Sequence, residues 1–104
     1  MADRMRMRIT LDGDIADVKV LIFHPMETGL RKDPATGELL PIHFIKTVRA
    51  IHNDSVVLES QWSRAVSRNP FLNFRVRGAK AGDRIAIVWE DNLGDSAKIE
   101  SMVT

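Results

Sequence analysis

The sequence predicts an all-β protein, specifically an immunoglobulin-like β-sandwich of about seven antiparallel strands. Apolar and polar residues alternate with a period of two along most of the 104-residue chain. Asp, Asn and Gly residues separate these alternating segments, and no segment shows the 3.6-residue spacing of an amphipathic helix. Seven short strands in a chain of this length favour two packed sheets, and a closed barrel is the main alternative.

The first half of the chain supplies three of these strands. Residues 5–11 alternate apolar with basic or polar side chains, which predicts one buried face and one solvated basic face. A turn at 12–14 leads to residues 17–23, whose nearly continuous Val, Leu, Ile and Phe predict a central strand covered on both faces. A long connection follows at 23–41, and residues 43–52 form the third strand.

The second half supplies the other four strands. An Asn-Asp turn at 53–54 predicts a hairpin into residues 55–62. The remaining strands are predicted at 71–78, 84–90 and 96–103, with turns at 79–83 and 91–95. We expect the side chains of the fourth and fifth strands that face the core to be Val56, Leu58, Leu72, Phe74 and Val76. The two tryptophans expected to anchor the core are Trp62, on the same side as Val56 and Leu58, and Trp89.

Composition excludes several classes of function. Fifteen Lys and Arg against fourteen Asp and Glu give a formal net charge of +1, which argues against a nucleic-acid-binding protein. The absence of cysteine excludes disulfides, thiolate metal sites and a cysteine nucleophile. The N-terminus has no apolar stretch typical of a signal peptide, and no apolar run approaches the length of a membrane span. These features alone predict a cytoplasmic protein that does not contact membranes.

The connection at 23–41 is the most unusual segment. Loops beyond about 12–15 residues without secondary structure are uncommon in compact domains and are usually functional or disordered. This one combines basic Arg31 and Lys32 with apolar Met26 and Leu30, unlike a merely solvated linker. If exposed, Met26 and Leu30 would form a patch for a partner to cover. Alternatively, they fold back and cap the open end of the sandwich.

The sequence offers little for catalysis. His24, Met26 and His43 flank the connection and form a donor set that copper accepts, but their spacing matches no metal motif. Glu27 and Asp33 lie in the connection and could form a carboxylate pair, but nothing nearby indicates a raised pKa. There is no Gly-x-Ser-x-Gly elbow and no phosphate-binding glycine loop. We therefore predict a non-enzymatic protein with no cofactor and no metal.

Four segments nevertheless resemble a known family. They are HPMETGLRKD at 24–33, HFI at 43–45, NPFLNFRVRGAKAGD at 69–83 and VWEDNLGD at 88–95. Together, and in this order, they are similar to SoxZ, a carrier subunit of thiosulfate oxidation. The similarity extends from about residue 5 to about residue 95, and it implies one immunoglobulin-like SoxZ domain over residues 1–104.

The resemblance implies a heterodimer with SoxY, whose flexible Gly-Gly-Cys-Gly arm holds the sulfur intermediates. The resemblance also implies transient contacts of this pair with a haem enzyme, a hydrolase and a sulfane dehydrogenase. A chain without cysteine cannot be the covalent carrier, which fits a role in binding SoxY and presenting its arm. We predict that partner binding involves the first segment, namely His24, Pro25, Met26, Glu27, Thr28, Gly29, Leu30, Arg31, Lys32 and Asp33.

The resemblance also reverses the predicted compartment. SoxZ-like subunits carry no signal of their own and are thought to be exported bound to SoxY, which implies a periplasmic location. Expressed alone, the chain would be expected to self-associate through the surface meant for its partner. Two alternatives stay open at this point: a stand-alone immunoglobulin-like binding module, and a small metal protein using His24, Met26 and His43.

Overall fold

The computed structural model of the chain describes residues 4–104, so residues 1–3 of the predicted domain lie outside the described range. Seven strands in two sheets confirm the predicted all-β sandwich. In chain order they are β1 Met5–Asp12, β2 Ile15–Ile22, β3 Ile45–His52, β4 Ser55–Gln61, β5 Phe71–Arg77, β6 Arg84–Asp91 and β7 Ser96–Met102. No helix able to cross a membrane occurs among these residues.

The sheets contain three and four strands, in the orders β1-β2-β5 and β4-β3-β6-β7. Every strand pairing is antiparallel. Hairpins join β1 to β2, β3 to β4 and β6 to β7, while the other three connections cross between the sheets. β4 pairs with β3 rather than with β5, and the two sheets therefore remain separate instead of closing into a barrel.

The core lies between the two sheets and is aliphatic, with Trp89 as its largest buried side chain. Trp89 is 2% exposed and anchors the core as predicted. Trp62 instead packs at the edge of the core, and its indole nitrogen donates to Oγ of Ser60 at 2.9 Å. Only one of the two tryptophans is therefore central. The position of Trp62 at the rim lets its indole N–H reach a polar partner.

β2 is the middle strand of its sheet, but it is covered on one face only. Its apolar residues at even positions, such as Val18 and Val20, are fully buried, whereas Lys19 between them is exposed. The prediction of a strand buried on both faces was wrong, because none of residues 4–104 forms a layer against the second face of this three-stranded sheet. The basic face predicted for β1 is solvent-exposed at Arg6 and Arg8.

Val56 is also placed differently from the prediction. It is 56% exposed, while Leu58 packs against the core. The cause is a β-bulge: Ala50 pairs with Leu58 and Ile51 pairs with Val56, which leaves Val57 as an extra residue in β4. Because side chains alternate between faces, one inserted residue moves Val56 to the solvent side.

Candidate functional site

The long connection between β2 and β3 folds as an antiparallel ribbon rather than as an irregular loop. We call residues 25–42 the arm. Isolated bridges join Glu27 to His43 and Lys32 to Leu39 across the ribbon. Backbone bonds such as Leu40 N–H to the Arg31 carbonyl, at 2.8 Å, continue the pairing between the two bridges. The arm therefore presents a defined surface, unlike a flexible linker.

Turn and side-chain contacts fix the shape of the arm. At its tip, the Asp33 carboxylate accepts from Ala35 N–H at 2.8 Å, and the Asp33 carbonyl accepts from Gly37 N–H. Along one side, the Arg31 guanidinium donates to both carboxylate oxygens of Glu27. This hydrogen bond lowers the pKa of Glu27 and raises that of Arg31. Glu27 and Asp33 therefore have separate structural partners and do not form an acid–base pair.

Burial divides the predicted partner-binding segment into two parts. His24 and Met26 are buried, and Glu27, Thr28, Gly29 and Asp33 are half-buried. The exposed residues are Pro25, Leu30, Arg31 and Lys32. The two apolar residues of the segment differ in burial, because Met26 packs in the core at the end of the sandwich while Leu30 is 77% exposed.

The exposed surface of the arm is partly apolar. Leu30 on the first half of the ribbon and Leu39 and Ile42 on the second are 77%, 60% and 40% exposed. Gly29 has a φ of +84°, and a Cβ there would collide with the side chain of Ile42. Only glycine suits this position, since it tolerates the left-handed backbone and lets the two halves approach. Each of these three residues exposes apolar area of the arm to water.

At the base of the arm, two histidines meet one buried aspartate. Asp91 Oδ2 lies 3.1 Å from Nε2 of His24 and 2.7 Å from Nε2 of His43. The imidazole rings are 4.4 Å apart between centroids, and His24 also meets Trp89 edge-on. We call His24, His43 and Asp91 the His–Asp cluster. It lies where β2 ends, β3 is about to begin and β6 ends.

The Asp91 carboxylate has a full set of hydrogen-bond donors. Oδ2 faces the two imidazoles, while Oδ1 accepts from the backbone N–H groups of Leu93 and Asp95 at 3.0 and 2.9 Å. Burial raises the pKa of Asp91, but these hydrogen bonds outweigh burial and hold the pKa below its usual value. Asp91 is therefore a carboxylate that joins the base of the arm to the β6–β7 turn.

The hydrogen bonds of His24 define its tautomer. Nδ1 accepts from Met26 N–H at 3.1 Å, so the ring proton lies on Nε2 and is donated to Asp91. Burial lowers the pKa of His24, the bond to Asp91 opposes that shift, and the neighbouring His43 adds to it. His24 is consequently neutral in the folded protein at pH 7, with both nitrogens engaged.

In the alternative interpretation as a metal protein, His24, Met26 and His43 would be the ligands, but the Met26 sulfur is turned away from the two imidazoles. The Met26 sulfur accepts instead from Ile45 N–H at 3.3 Å. Nitrogens of the two histidines and an oxygen of Asp91 do lie within 4.8 Å of one another. However, a cation on Nε2 of His24 would move the ring proton to Nδ1, directly against Met26 N–H. The hydrogen bonds present in the cluster are therefore those of a network that shares protons between imidazoles and a carboxylate.

The four segments that resemble SoxZ meet at this cluster. His24, His43 and Asp91 come from three of them. Asn69, from the fourth, accepts from His24 N–H through its side chain at 3.1 Å and donates its own N–H to the His24 carbonyl at 3.0 Å. Asn69 has a φ of +50°, a conformation that asparagine tolerates better than most residues. His52, the remaining histidine, pairs with Asp83 elsewhere in the sandwich.

Sequence reasoning identified the two histidines but missed Asp91. Its segment was interpreted only as a hairpin turn, since an aspartate before Asn-Leu-Gly-Asp is typical turn chemistry. The one available signal was its position at the end of an apolar strand. The carboxylate becomes recognisable only when the pairing of β3 with β6 brings residues 48 positions apart together.

We expect the protein to lose stability as the pH falls from 7.5 to 5.5. Burial lowers the pKa of His24 in the folded protein. Below about pH 6.5 the unfolded chain therefore binds a proton at His24 more readily than the folded chain does, which favours unfolding. The slope for this one proton is at most about 1.4 kcal/mol per pH unit. Urea unfolding at several pH values measures it. His24→Gln should flatten the profile relative to His52→Gln, and equal profiles for the two variants would contradict this assignment.

Comparison with known proteins agrees with the fold and the shared segments. The family model described as "Sulphur oxidation protein SoxZ" matches residues 5–101. A search of curated proteins gives no significant match. Among solved structures, hypothetical protein PH1083 from Pyrococcus horikoshii OT3 superposes with a TM-score of 0.69 at 14% identity, over 98% of this chain and 88% of that one. This likeness supports the fold alone, whereas the family match covers nearly the whole chain. The chain belongs to the SoxZ family of sulphur oxidation proteins.

Proposed function

We propose that this chain is the non-catalytic subunit of a SoxYZ sulfur-carrier complex. Membership of the SoxZ family gives it a role in sulfur oxidation. In the proposed complex it binds a SoxY-like protein and helps to present that partner's flexible cysteine-bearing segment to the Sox enzymes. The chain itself forms no covalent sulfur intermediate, because it has no cysteine.

The observation that carries the proposal is the construction of the arm. All four SoxZ-like segments contribute to its base, and its exposed side includes Leu30, Leu39 and Ile42. Hydrogen bonds hold the ribbon in place, and apolar residues remain exposed on it. Such a surface is suited to a protein partner. Stable interfaces bury roughly 800 Å² per partner, more than a single loop usually supplies. An adjoining sheet face or strand edge therefore belongs to the proposed interface.

The proposed location is the periplasm, reached by export of the folded complex with the SoxY-like subunit. Co-export requires that the two chains bind before they cross the membrane. The same apolar arm surface accounts for the self-association expected when the chain is produced alone. The stand-alone binding module remains the alternative, and it predicts a monomer that needs no partner.

Co-expression with the SoxY-like protein from the same source tests the proposal. Size-exclusion chromatography with mass detection should give one peak at the mass of a one-to-one heterodimer. The SoxY-like protein expressed alone, and shown to be folded, is the control. Elution of two folded proteins in separate peaks would contradict the proposed partnership and favour the stand-alone module.

A further inference from the structure

We propose that His43, oriented by Asp91, accepts the proton of the cysteine thiol carried by the partner subunit. This inference rests on the proposed function and adds a chemical role to a subunit otherwise described as a binding partner. In it, His43 acts as a general base and Asp91 is a positioning residue. The two residues have the relation that an aspartate and histidine have in hydrolase triads, with the ring nitrogens exchanged.

The geometry leaves one ring nitrogen of His43 available. Nε2 lies 2.7 Å from Asp91 Oδ2, which accepts hydrogen bonds only, so Nε2 carries the proton and Nδ1 carries the lone pair. Within residues 4–104, Nδ1 has no hydrogen-bond partner. The one buried side-chain nitrogen or oxygen without a partner in this range is Nε1 of Trp89, so Nδ1 of His43 is in contact with solvent.

The neighbouring histidine cannot perform this role. Both nitrogens of His24 are engaged inside the protein, with Met26 N–H and with Asp91. The His24 side chain is 3% exposed, whereas that of His43 is 27% exposed. The cluster therefore has one inward imidazole that supports the carboxylate and one imidazole whose free lone pair a partner can reach.

Three titratable groups surround His43, namely Asp91, Glu27 and His24. The carboxylate of Asp91 lies against its Nε2, and Glu27 on the arm pairs with it through the backbone. His24 is the other titratable neighbour, and it stays neutral. The transfer moves the thiol proton to Nδ1, giving a thiolate on the partner and an imidazolium on His43. Asp91 stabilises that cation without itself taking the proton, so charge and atoms balance.

The proton donor must come from outside this chain. A chain without cysteine offers no thiol of its own, and no serine of residues 4–104 hydrogen-bonds to His43. In a subunit that functions in sulfur oxidation, the relevant donor is a thiol, because the thiolate is the form that attacks sulfur and carbon electrophiles. The arm ribbon begins and ends beside His43, so a partner bound along it would have the imidazole within reach.

The rate at which iodoacetamide alkylates the partner's cysteine in the purified heterodimer tests the proposal. At pH 7 we expect His43→Gln to lower this rate about tenfold, which corresponds to a rise of about one unit in the apparent thiol pKa. Glutamine can still donate to Asp91 but provides no basic nitrogen. His52→Gln is the matched control, because His52 also donates through Nε2 to a carboxylate, that of Asp83, at 2.8 Å.

The mass of the complex is measured before each alkylation experiment. Formation of the heterodimer and the proton-acceptor role of His43 are thereby tested separately. If no heterodimer forms with the unaltered chain, the proposed function fails. If the heterodimer forms and His43→Gln leaves the rate and its pH profile unchanged, the proton-acceptor role of His43 is wrong while the partnership stands. An equal decrease in both variants would also overturn it, since the effect would then not be specific to His43.

Discussion

Asp91→Ala is expected to destabilise the protein more than any other single substitution of a polar residue at the site, by about 3–5 kcal/mol. The Asp91 side chain is fully buried and accepts hydrogen bonds from two imidazoles and two backbone N–H groups. Alanine would leave these donors without an acceptor, and each buried unsatisfied donor costs about 1–3 kcal/mol. The half-exposed His43 can recover part of the loss by binding water. Guanidinium unfolding of both proteins measures the difference.

Asp91→Asn provides the matched control. Its carbonyl can still accept from Leu93 and Asp95, and His43 can change tautomer to accept from the new amide. His24 cannot, because Met26 N–H occupies its Nδ1, so a cost of about 1–3 kcal/mol remains. Equal loss in the two variants would show that the pair of histidines, rather than the backbone turn, depends on Asp91. A loss below 1 kcal/mol for alanine would contradict the described hydrogen bonding.

Leu30→Asp and Leu39→Asp are expected to weaken binding of the SoxY-like partner by about 10- to 100-fold each. Every tenfold change corresponds to about 1.4 kcal/mol. Each substitution removes apolar area from the proposed interface and places a carboxylate where it would be desolvated. Both leucines are more than half exposed, so the fold should tolerate the change. Isothermal titration of the variants with the partner gives the dissociation constants.

Val56→Asp is the control for the two leucine variants. Val56 is 56% exposed, close to the 60% of Leu39, but it lies on β4 beside the Asn53–Asp54 turn, away from the arm base. We expect its affinity for the partner to match that of the unaltered chain. If Val56→Asp weakens binding as much as the arm variants do, added negative charge explains the loss. If none of the three weakens binding, the arm is not the contact surface.

Much of the fold could be predicted because alternation reports directly on which face of a strand is buried. Met5 to Asp12 shows this, with Arg6 and Arg8 exposed as their spacing predicted. The pattern failed at Val56, where the bulge in the β3–β4 pairing shifts the alternation by one residue. A bulge is a property of two paired strands, so the sequence of β4 alone does not contain it. The covering of β2 likewise depends on what packs against its sheet.

The site could be predicted only in part, for a related reason. Local composition singled out the connection as a candidate partner surface and drew attention to His24 and His43 at its ends. It could not show that the connection is a hydrogen-bonded ribbon, because the residues around the Lys32–Leu39 bridge lack the regular apolar–polar alternation of strands. It also could not place Asp91 between the histidines, since that contact depends on the register of β3 against β6.

Amide hydrogen exchange of the chain, free and in complex with the SoxY-like partner, tests most directly the claim that the arm is the partner-binding surface. We expect slower exchange in peptides covering residues 25–42 when the partner is bound. The β3–β4 turn at Asn53 and Asp54 should exchange at the same rate in both samples. A complex of confirmed one-to-one mass in which exchange in the arm is unchanged, with protection on another surface, would contradict the central claim.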